Sequence, residues 1–265
     1  MQKQATLSYA EQFKDSVISC SPFVLRSTGI IQTQTSLKVD TYSLACVPYQ
    51  LSMARAILLG ALSKEEIAFF QKFKSTLAGL SLTVQPANAR EPAKIFCRCQ
   101  ISGLGMMKGR DHVGLVVCDF KPIPPSLETI LGDHMMQLER LNAERKDLQG
   151  RLVPVNPESS RTMGFNNYAV LSVAGEQYKL ALFSIGVDAT EFLMPLRSPD
   201  MIPGSAASIS LFFQKYRFSV NGSIVSAMRL PTGVQKVKAS LDFSPELTDI
   251  LSDYHFTTRV RSKKE

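Results

Sequence analysis

The strongest constraint on the fold is a segment that occurs twice in the chain. Residues 118–134 contain an Asp-Phe pair, a proline-marked turn and then Leu, Ile and Leu at positions i, i+3 and i+4, and residues 241–255 repeat this order. The i, i+3, i+4 spacing is that of an amphipathic helix. Weaker echoes align residues 96–101 with 220–224, and 42–45 with 178–181. A repeated strand, turn and helix predicts two related structural units.

Each unit is predicted to be rich in β-structure. In the second half of the chain, short runs of β-branched and aromatic residues are separated by turn residues. These runs are residues 168–173, 177–183, 209–213, 216–220, 223–228 and 237–243. Short strands at this spacing are typical of a barrel or a sandwich.

Two helices are predicted outside the strands. Ser63 and Glu66 form the pattern of a capping box, which predicts a helix over residues 64–74. The apolar stripe that begins in the first repeated helix continues to Leu141, and charged residues follow up to Gly150. Residues 126–150 are therefore predicted to form a charged helix that connects the two units.

Composition restricts the class of partner and the compartment. The chain of 265 residues has a net charge of +7, which favours anionic partners such as nucleotides, nucleic acids or phospholipids.

Five cysteines form an odd and sparse set, which indicates free thiols in a reducing compartment. The sequence shows neither a secretory signal nor a transmembrane segment, so we expect a cytoplasmic protein without membrane insertion. Basic residues at 259–265 are interpreted as a solubilising tail.

The sequence offers little for catalysis or for a metal site. Two of its three histidines, His134 and His255, are predicted to occupy equivalent positions in the repeated helix, which indicates a packing role. Cys97 and Cys99 share one face of a predicted strand, and a zinc site would need Cys118 and His112 as further ligands. We favour buried thiols over zinc. We therefore expect no enzymatic activity, no catalytic residues, no metal and no cofactor.

The order of features from Arg145 to His255 resembles the PilZ family. These features are an arginine-bearing segment at 145–159, a β-turn at 183–190, closing strands at 222–225 and 241–243, and the helix that begins near Leu247. With a divergent unit in front, the layout is similar to the two-domain PilZ proteins of spirochaetes. The resemblance implies a mainly β fold with α-helices (α+β), in which tandem six-stranded β-barrels are each closed by a C-terminal amphipathic helix.

The resemblance also implies domain boundaries. We expect a divergent N-terminal barrel over residues 1–125, the connector helix over 126–150, the C-terminal PilZ domain over 151–258 and the basic tail over 259–265. PilZ domains typically bind the bacterial second messenger cyclic di-GMP. This ligand is thus implied for the chain, together with a protein effector in motility or envelope regulation.

The family's ligand site uses two motifs, R-x-x-x-R and D/N-x-S-x-x-G. Arg151 matches the second arginine, whereas Asp147 occupies the position of the first. In the turn, Ser184 stands in place of Asp or Asn, Gly186 in place of Ser, and Ala189 in place of Gly. The candidate ligand-binding residues are Arg145, Lys146, Arg151, Ser184, Gly186, Asp188 and Ala189.

Three functions remain open from the sequence. The first is a receptor that binds cyclic di-GMP through a rearranged motif. The second is a degenerate PilZ fold that no longer binds nucleotide and serves as a protein–protein interaction module. The third, a nucleic-acid-binding protein, depends only on the positive charge and the basic tail, and the sequence has no tryptophan and no aromatic-rich basic stripe to support it.

Overall fold

The fold consists of two compact units, each built around a β-barrel. A computed structural model describes residues 7–85, 89–194, 200–214 and 216–262. The chain divides into units Met1–Gln137 and Leu138–Glu265, and this boundary falls within one long helix. Each unit contains a closed six-stranded antiparallel barrel, which confirms the predicted tandem-barrel fold class.

The first unit closes its barrel in the strand order β3-β2-β5-β6-β7-β4, with β4 paired back to β3, while β1 adds to β3 outside the ring. Its strands are β1 (Val17–Ser19), β2 (Thr35–Val39), β3 (Tyr42–Ser52), β4 (Arg55–Ala61), β5 (Leu77–Val84), β6 (Ala93–Met106) and β7 (Val113–Phe120). Its helices are α1 (Tyr9–Gln12), α2 (Pro22–Thr28), α3 (Lys64–Phe70) and the first part of α4 (Pro125–Leu148). Short 3-10 turns occupy Gln32–Gln34 and Gln71–Phe73.

The second unit repeats this topology. Its strands are β8 (Val153–Pro154), β9 (Phe165–Val173), β10 (Glu176–Ile185), β11 (Ala189–Met194), β12 (Ala206–Phe213), β13 (Arg217–Arg229) and β14 (Gln235–Leu241). Helix α5 (Pro157–Met163) follows β8, and α6 (Pro245–Ser262) follows the barrel. The ring order β10-β9-β12-β13-β14-β11, with β11 paired back to β10, matches the order of the first unit strand for strand. The short strand β8 pairs with β10 as β1 pairs with β3.

The repeat is confirmed, but the register predicted for its Asp-Phe pairs is wrong by two residues. The N–H of Phe120 donates to the carbonyl of Ala54, and the N–H of Leu241 makes the equivalent bond to Asp188. Phe120 therefore corresponds to Leu241, not to Phe243. Side chains alternate with period two along a strand, so a shift of two residues keeps the same face and leaves the apolar pattern unchanged. The two phenylalanines are therefore not equivalent, and their burial differs: Phe120 is 8% exposed and Phe243 is 38% exposed.

The two repeated helices align from their first prolines, Pro125 and Pro245, and their matching leucines are fully buried. In this register His134 corresponds to Tyr254. The predicted equivalence of His134 and His255 is therefore wrong. His134 is buried in the first unit, whereas His255 is only partly buried in the second.

Local signals at the helix ends are largely confirmed. The N–H of Ser63 donates to Glu66 Oε2 at 2.7 Å, and the N–H of Glu66 donates to Ser63 Oγ at 3.2 Å, so the capping box forms and α3 starts where predicted. Ser244 Oγ likewise accepts from the N–H of Leu247 at 3.2 Å. These bonds satisfy amide groups that a helix N-terminus leaves without partners.

Two element assignments differ from the predictions. The predicted strands 216–220 and 223–228 are one continuous strand, β13, which begins at Arg217. It absorbs an extra residue as a bulge between Ile224 and Ser226. Residues 259–262 of the expected tail form the last turn of α6. The positive charges of Arg259 and Arg261 interact favourably with the negative C-terminal end of the helix dipole. Residues 263–265 of that tail lie outside the described residues.

Apolar side chains fill each barrel. Leu37, Leu58 and Leu80 are buried inside the first, and Leu171 and Phe192 inside the second. Burial of these large side chains is the main source of stability for each unit. Among the helices that the structure describes, none combines the length and the apolar character needed to cross a membrane.

Candidate functional site

The arginine-bearing segment and the β10–β11 turn meet at one end of the second barrel. Gly150 follows α4 with a φ of 73°, a backbone conformation that glycine adopts without strain. Its N–H donates to both carboxylate oxygens of Asp188, at 3.2 and 3.3 Å. The fold thus brings the segment that contains Arg151 against the turn that contains Asp188.

Gly186 allows this close approach. Its N–H donates to the carbonyl of Ala189 at 2.8 Å, which closes the turn. A Cβ at Gly186 would lie 2.6 Å from the carbonyl oxygen of Arg151 and 3.0 Å from the side chain of Leu152. A residue with a side chain would therefore push the arginine-bearing segment away from the turn.

Arg151 presents an exposed side chain at this junction. Its backbone N–H donates to the carbonyl of Leu148 at 3.1 Å, which fixes the start of the segment to the end of α4. The pKa of His255 is lowered, first by burial and then by the positive charges of Arg151 and Arg259. The positive charge of Arg151 therefore acts on His255 of α6 within the same unit.

The structure separates the roles of Arg145 and Lys146. Arg145 Nη2 donates to the carbonyl of Leu241 at 3.2 Å, and its guanidinium lies 5.5 Å from the centre of the Phe243 ring. The N–H of Leu241 in turn donates to the carbonyl of Asp188, so Arg145 contacts the same end of β14 as the turn. Lys146 is exposed on α4. Arg145 is therefore engaged in holding the helix to the barrel, whereas Lys146 remains accessible.

Ser184 lies near the end of β10, between β8 and β11, and is buried. Its hydroxyl donates to Glu191 Oε2 at 3.1 Å, and its carbonyl accepts from Thr190 Oγ1 at 2.8 Å. Lys236 Nζ lies 3.2 Å from the same carboxylate oxygen and 4.7 Å from the centre of the Phe183 ring. This places an acid, a base and an aromatic ring beside the turn.

Sequence reasoning missed Phe183, Glu191 and Lys236 as members of the site. Glu191 belongs to β11, a strand that was not predicted and whose first two residues were assigned to the turn at 183–190. Lys236 comes from β14, more than 40 residues away along the chain. Only the closure of the ring places these strands side by side. The alternation of polar and apolar residues along β14 predicts that Lys236 faces outward. It does not predict which strands lie beside β14.

A cleft of about 350 Å³ lies in the second unit between the end of α4 and α6. Its lining includes Asp147, which occupies the position of the family's first arginine, and Asp249. Burial raises the pKa of Asp249, and the nearby charge of Asp253 raises it further. The cleft walls therefore carry charges of both signs, since His255 and Arg259 line the same cleft.

The thiols considered as zinc ligands lie in the core of the first barrel. Cys97, Cys99 and Cys118 are buried, burial raises the pKa of Cys97 to about 12, and Cys99 Sγ donates to the carbonyl of Ala78 at 3.5 Å. His112 lies in the exposed β6–β7 connection. Across residues 7–85, 89–194, 200–214 and 216–262, no group of three or more His, Cys, Asp or Glu side chains is arranged to hold a metal ion.

Comparison with known proteins identifies the first unit. Residues 4–136, about half of the chain, match the family model of the PilZN3 domain. The sequence matches no curated protein.

Several solved structures resemble the whole chain at low identity. The PlzA protein of Borreliella burgdorferi in complex with c-di-GMP has 14% identity and a TM-score of 0.46, over 93% of this chain and 96% of that one. YcgR of Escherichia coli in complex with c-di-GMP has 11% identity and a TM-score of 0.31, over 97% of each chain. The Bacillus subtilis inhibitor of motility MotI/DgrA has 7% identity and a TM-score of 0.31, over 89% of this chain and 99% of that one.

Proposed function

Since this chain belongs to the PilZ family through its PilZN3 domain, we propose that it acts in cyclic di-GMP signalling as a non-enzymatic receptor that passes the signal to a protein effector. The ligand would bind to the second barrel, where the arginine-bearing segment meets the β10–β11 turn.

The observation that carries the proposal is the contact between these two segments. The Gly150–Asp188 hydrogen bond and the close approach of the Arg151 carbonyl to Gly186 hold the backbone of Arg151 against the turn, and its side chain is exposed. A guanidinium can stack on a guanine base or fork onto a phosphodiester, and both groups are present in cyclic di-GMP. The net charge of +7 favours association with this dianion.

One observation favours the adaptor as a second candidate. Arg145 and Lys146 are the nearest replacements for the family's first arginine, and Arg145 already bonds to the carbonyl of Leu241 and packs over Phe243. A ligand could recruit this guanidinium only by replacing both contacts. If Arg145 stays in place and Arg151 alone is insufficient, the unit would serve as a protein interaction module.

Calorimetric titration of cyclic di-GMP into the full-length protein tests the receptor function. We expect saturable binding that weakens by at least about tenfold, or about 1.4 kcal/mol, in Arg151→Ala. Arg161→Ala, which removes an exposed arginine from α5 in the same unit, is the matched control and should bind like the wild type. GTP controls for general affinity towards phosphates.

The same titration can refute the proposal. Absence of binding by a wild-type protein that circular dichroism shows to be folded would exclude the receptor and leave the adaptor. Equal losses in the two arginine variants would show that only overall charge matters.

The effector and the compartment are further parts of the proposal. The family resemblance implies a partner in motility or envelope machinery, and a cytoplasmic location. Affinity purification from cells with high and with low cyclic di-GMP would test for a partner. A partner recovered equally in both conditions would indicate an adaptor that does not respond to the messenger.

A further inference from the structure

We propose that Glu191 is the residue that selects guanine at the β10–β11 site and thereby supplies the carboxylate that the turn lacks at Ser184. The inference rests on the proposed function, because it names a ligand contact of the same site. It concerns a residue outside both sequence motifs.

The backbone pairing places Glu191 beside Ser184, the position at which the family's motif has Asp or Asn. Ser184 and Glu191 are directly opposite each other in the β10–β11 pair, and the Ser184 hydroxyl donates to Glu191 Oε2 at 3.1 Å. The next pair, Ile185 and Thr190, points into the barrel and is buried. Thr190 and Phe192 on either side of Glu191 are buried in the barrel, so Glu191 faces away from the barrel interior. Ser184 is only 5% exposed, so a ligand would contact the Glu191 carboxylate and not the Ser184 hydroxyl.

A carboxylate on this surface suits a guanine base. The Watson–Crick edge of guanine carries two adjacent N–H donors, at N1 and N2, and a carboxylate can accept both. A carboxylate offers about four acceptor positions, and the contacts with Ser184 and Lys236 use two of them. The side chain of Glu191 is 19% exposed, so the carboxylate is held in place yet accessible.

The surrounding charges make the carboxylate compatible with an anionic ligand. Lys236 Nζ lies 3.2 Å from Glu191 Oε2, and Lys238 is the residue opposite Glu191 on β14. These two ammonium groups offset the repulsion between the carboxylate and a phosphodiester.

An aromatic ring completes the surface. Phe183 is 54% exposed at the bulge of β10, and Lys236 Nζ lies 4.7 Å from the centre of its ring. An exposed ring beside a fixed acceptor offers a stacking face to the base that the carboxylate binds.

The test compares cyclic di-GMP with cyclic di-AMP in wild-type protein and in Glu191→Gln. Glutamine keeps the length of the side chain but replaces one acceptor with a donor, which conflicts with one of the two guanine N–H groups. We expect affinity for cyclic di-GMP to fall by at least about tenfold and the preference for it over cyclic di-AMP to fall with it. Glu176→Gln, at the exposed start of β10, should leave both unchanged.

A second measurement needs no variant and so does not depend on the folding of Glu191→Gln. Cyclic di-IMP lacks the N2 amino group of guanine, and the wild type should bind it about tenfold more weakly than cyclic di-GMP. Equal affinity for the two nucleotides would overturn the role of Glu191.

The outcomes separate this inference from the proposed function. If the wild type binds cyclic di-GMP and Glu191→Gln binds it equally well, the receptor stands and the role of Glu191 is overturned. If the folded wild type binds no cyclic di-GMP, the receptor itself is refuted, and the guanine-selecting role of Glu191 with it.

Discussion

The ring of Tyr9 packs directly on Gly132 of α4 and occupies the space that a side chain at position 132 would fill. The Tyr9 hydroxyl donates to Asp133 Oδ1 at 2.9 Å, and the N–H of Ala10 donates to Glu128 Oε1 at the same distance. The short helix α1 is therefore fixed across the first part of α4 within the first unit.

Gly132→Ala should destabilise the first unit. Alanine normally stabilises a helix interior by about 1 kcal/mol relative to glycine. Here its methyl group would overlap the Tyr9 ring, and overpacking of this kind costs about 1 to 3 kcal/mol. We expect a lower unfolding midpoint in urea for Gly132→Ala. In a Tyr9→Ala background the same change should stabilise, and a loss of equal size in both backgrounds would contradict the contact.

The buried imidazole of His134 should make the stability of the first unit dependent on pH. Burial lowers the pKa of His134, Nδ1 lies 2.6 Å from Ser27 Oγ, and Nε2 is buried without a hydrogen-bond partner among the described residues. The pKa of His134 is lower in the folded state than in the unfolded state. At pH values between these two pKa values, the unfolded state therefore binds more protons than the folded state. Stability is then complete above the unfolded pKa and decreases as the pH falls towards the folded pKa.

Urea unfolding between about pH 7.5 and about pH 5 tests this, since the ordinary pKa of histidine is near 6.5. The unfolding midpoint of the wild type should fall more steeply with decreasing pH than that of His134→Asn. His112→Asn, which removes an exposed imidazole, should follow the wild type. His255 has a pKa lowered in the same direction and is present in all three proteins, so the difference between them reports His134. Parallel curves would exclude His134 as a source of the pH dependence.

Gly222→Ala should destabilise the second barrel by about 1 to 3 kcal/mol. A Cβ at Gly222 would overlap the carbonyl of Ser240 on β14, and backbone cannot move aside as a side chain can. Gly105→Ala, in β6 of the first barrel, meets no atom within 4 Å and is the matched control. Denaturation of both variants should show a loss for Gly222→Ala and almost none for Gly105→Ala. Equal effects would mean that the close approach of β13 and β14 is not rigid.

The Gly150–Asp188 contact should govern the order of the arginine-bearing segment. Asp188→Ala removes the acceptor, with an expected loss of about 1 kcal/mol and faster hydrogen exchange at the Gly150 amide. Asp188→Asn retains an acceptor oxygen and should slow exchange again towards the wild-type rate. Similar exchange in Asp188→Ala and in the wild type would show that the segment is held by other contacts.

Several features of the fold could be predicted from local patterns. The capping box of Ser63 and Glu66 and the strands predicted over residues 168–173 and 177–183 depend on neighbouring residues, and each forms. The internal repeat revealed two similar units because the same strand, turn and helix recur. The two-residue register error arose because a shift by an even number of residues leaves the pattern of faces unchanged.

The sequence by itself determined the two related β-rich units, the helix between them and the candidates Arg151, Ser184, Gly186 and Asp188, because each is encoded in periodicity or in a short motif. Tertiary structure alone decided that Gly150 bonds to Asp188, that Arg145 is held by Leu241 and Phe243, and that Glu191 and Lys236 stand beside Ser184. The physical reason is barrel closure. It pairs β11 with both β10 and β14, and so brings into contact side chains whose separation along the chain carries no local signal.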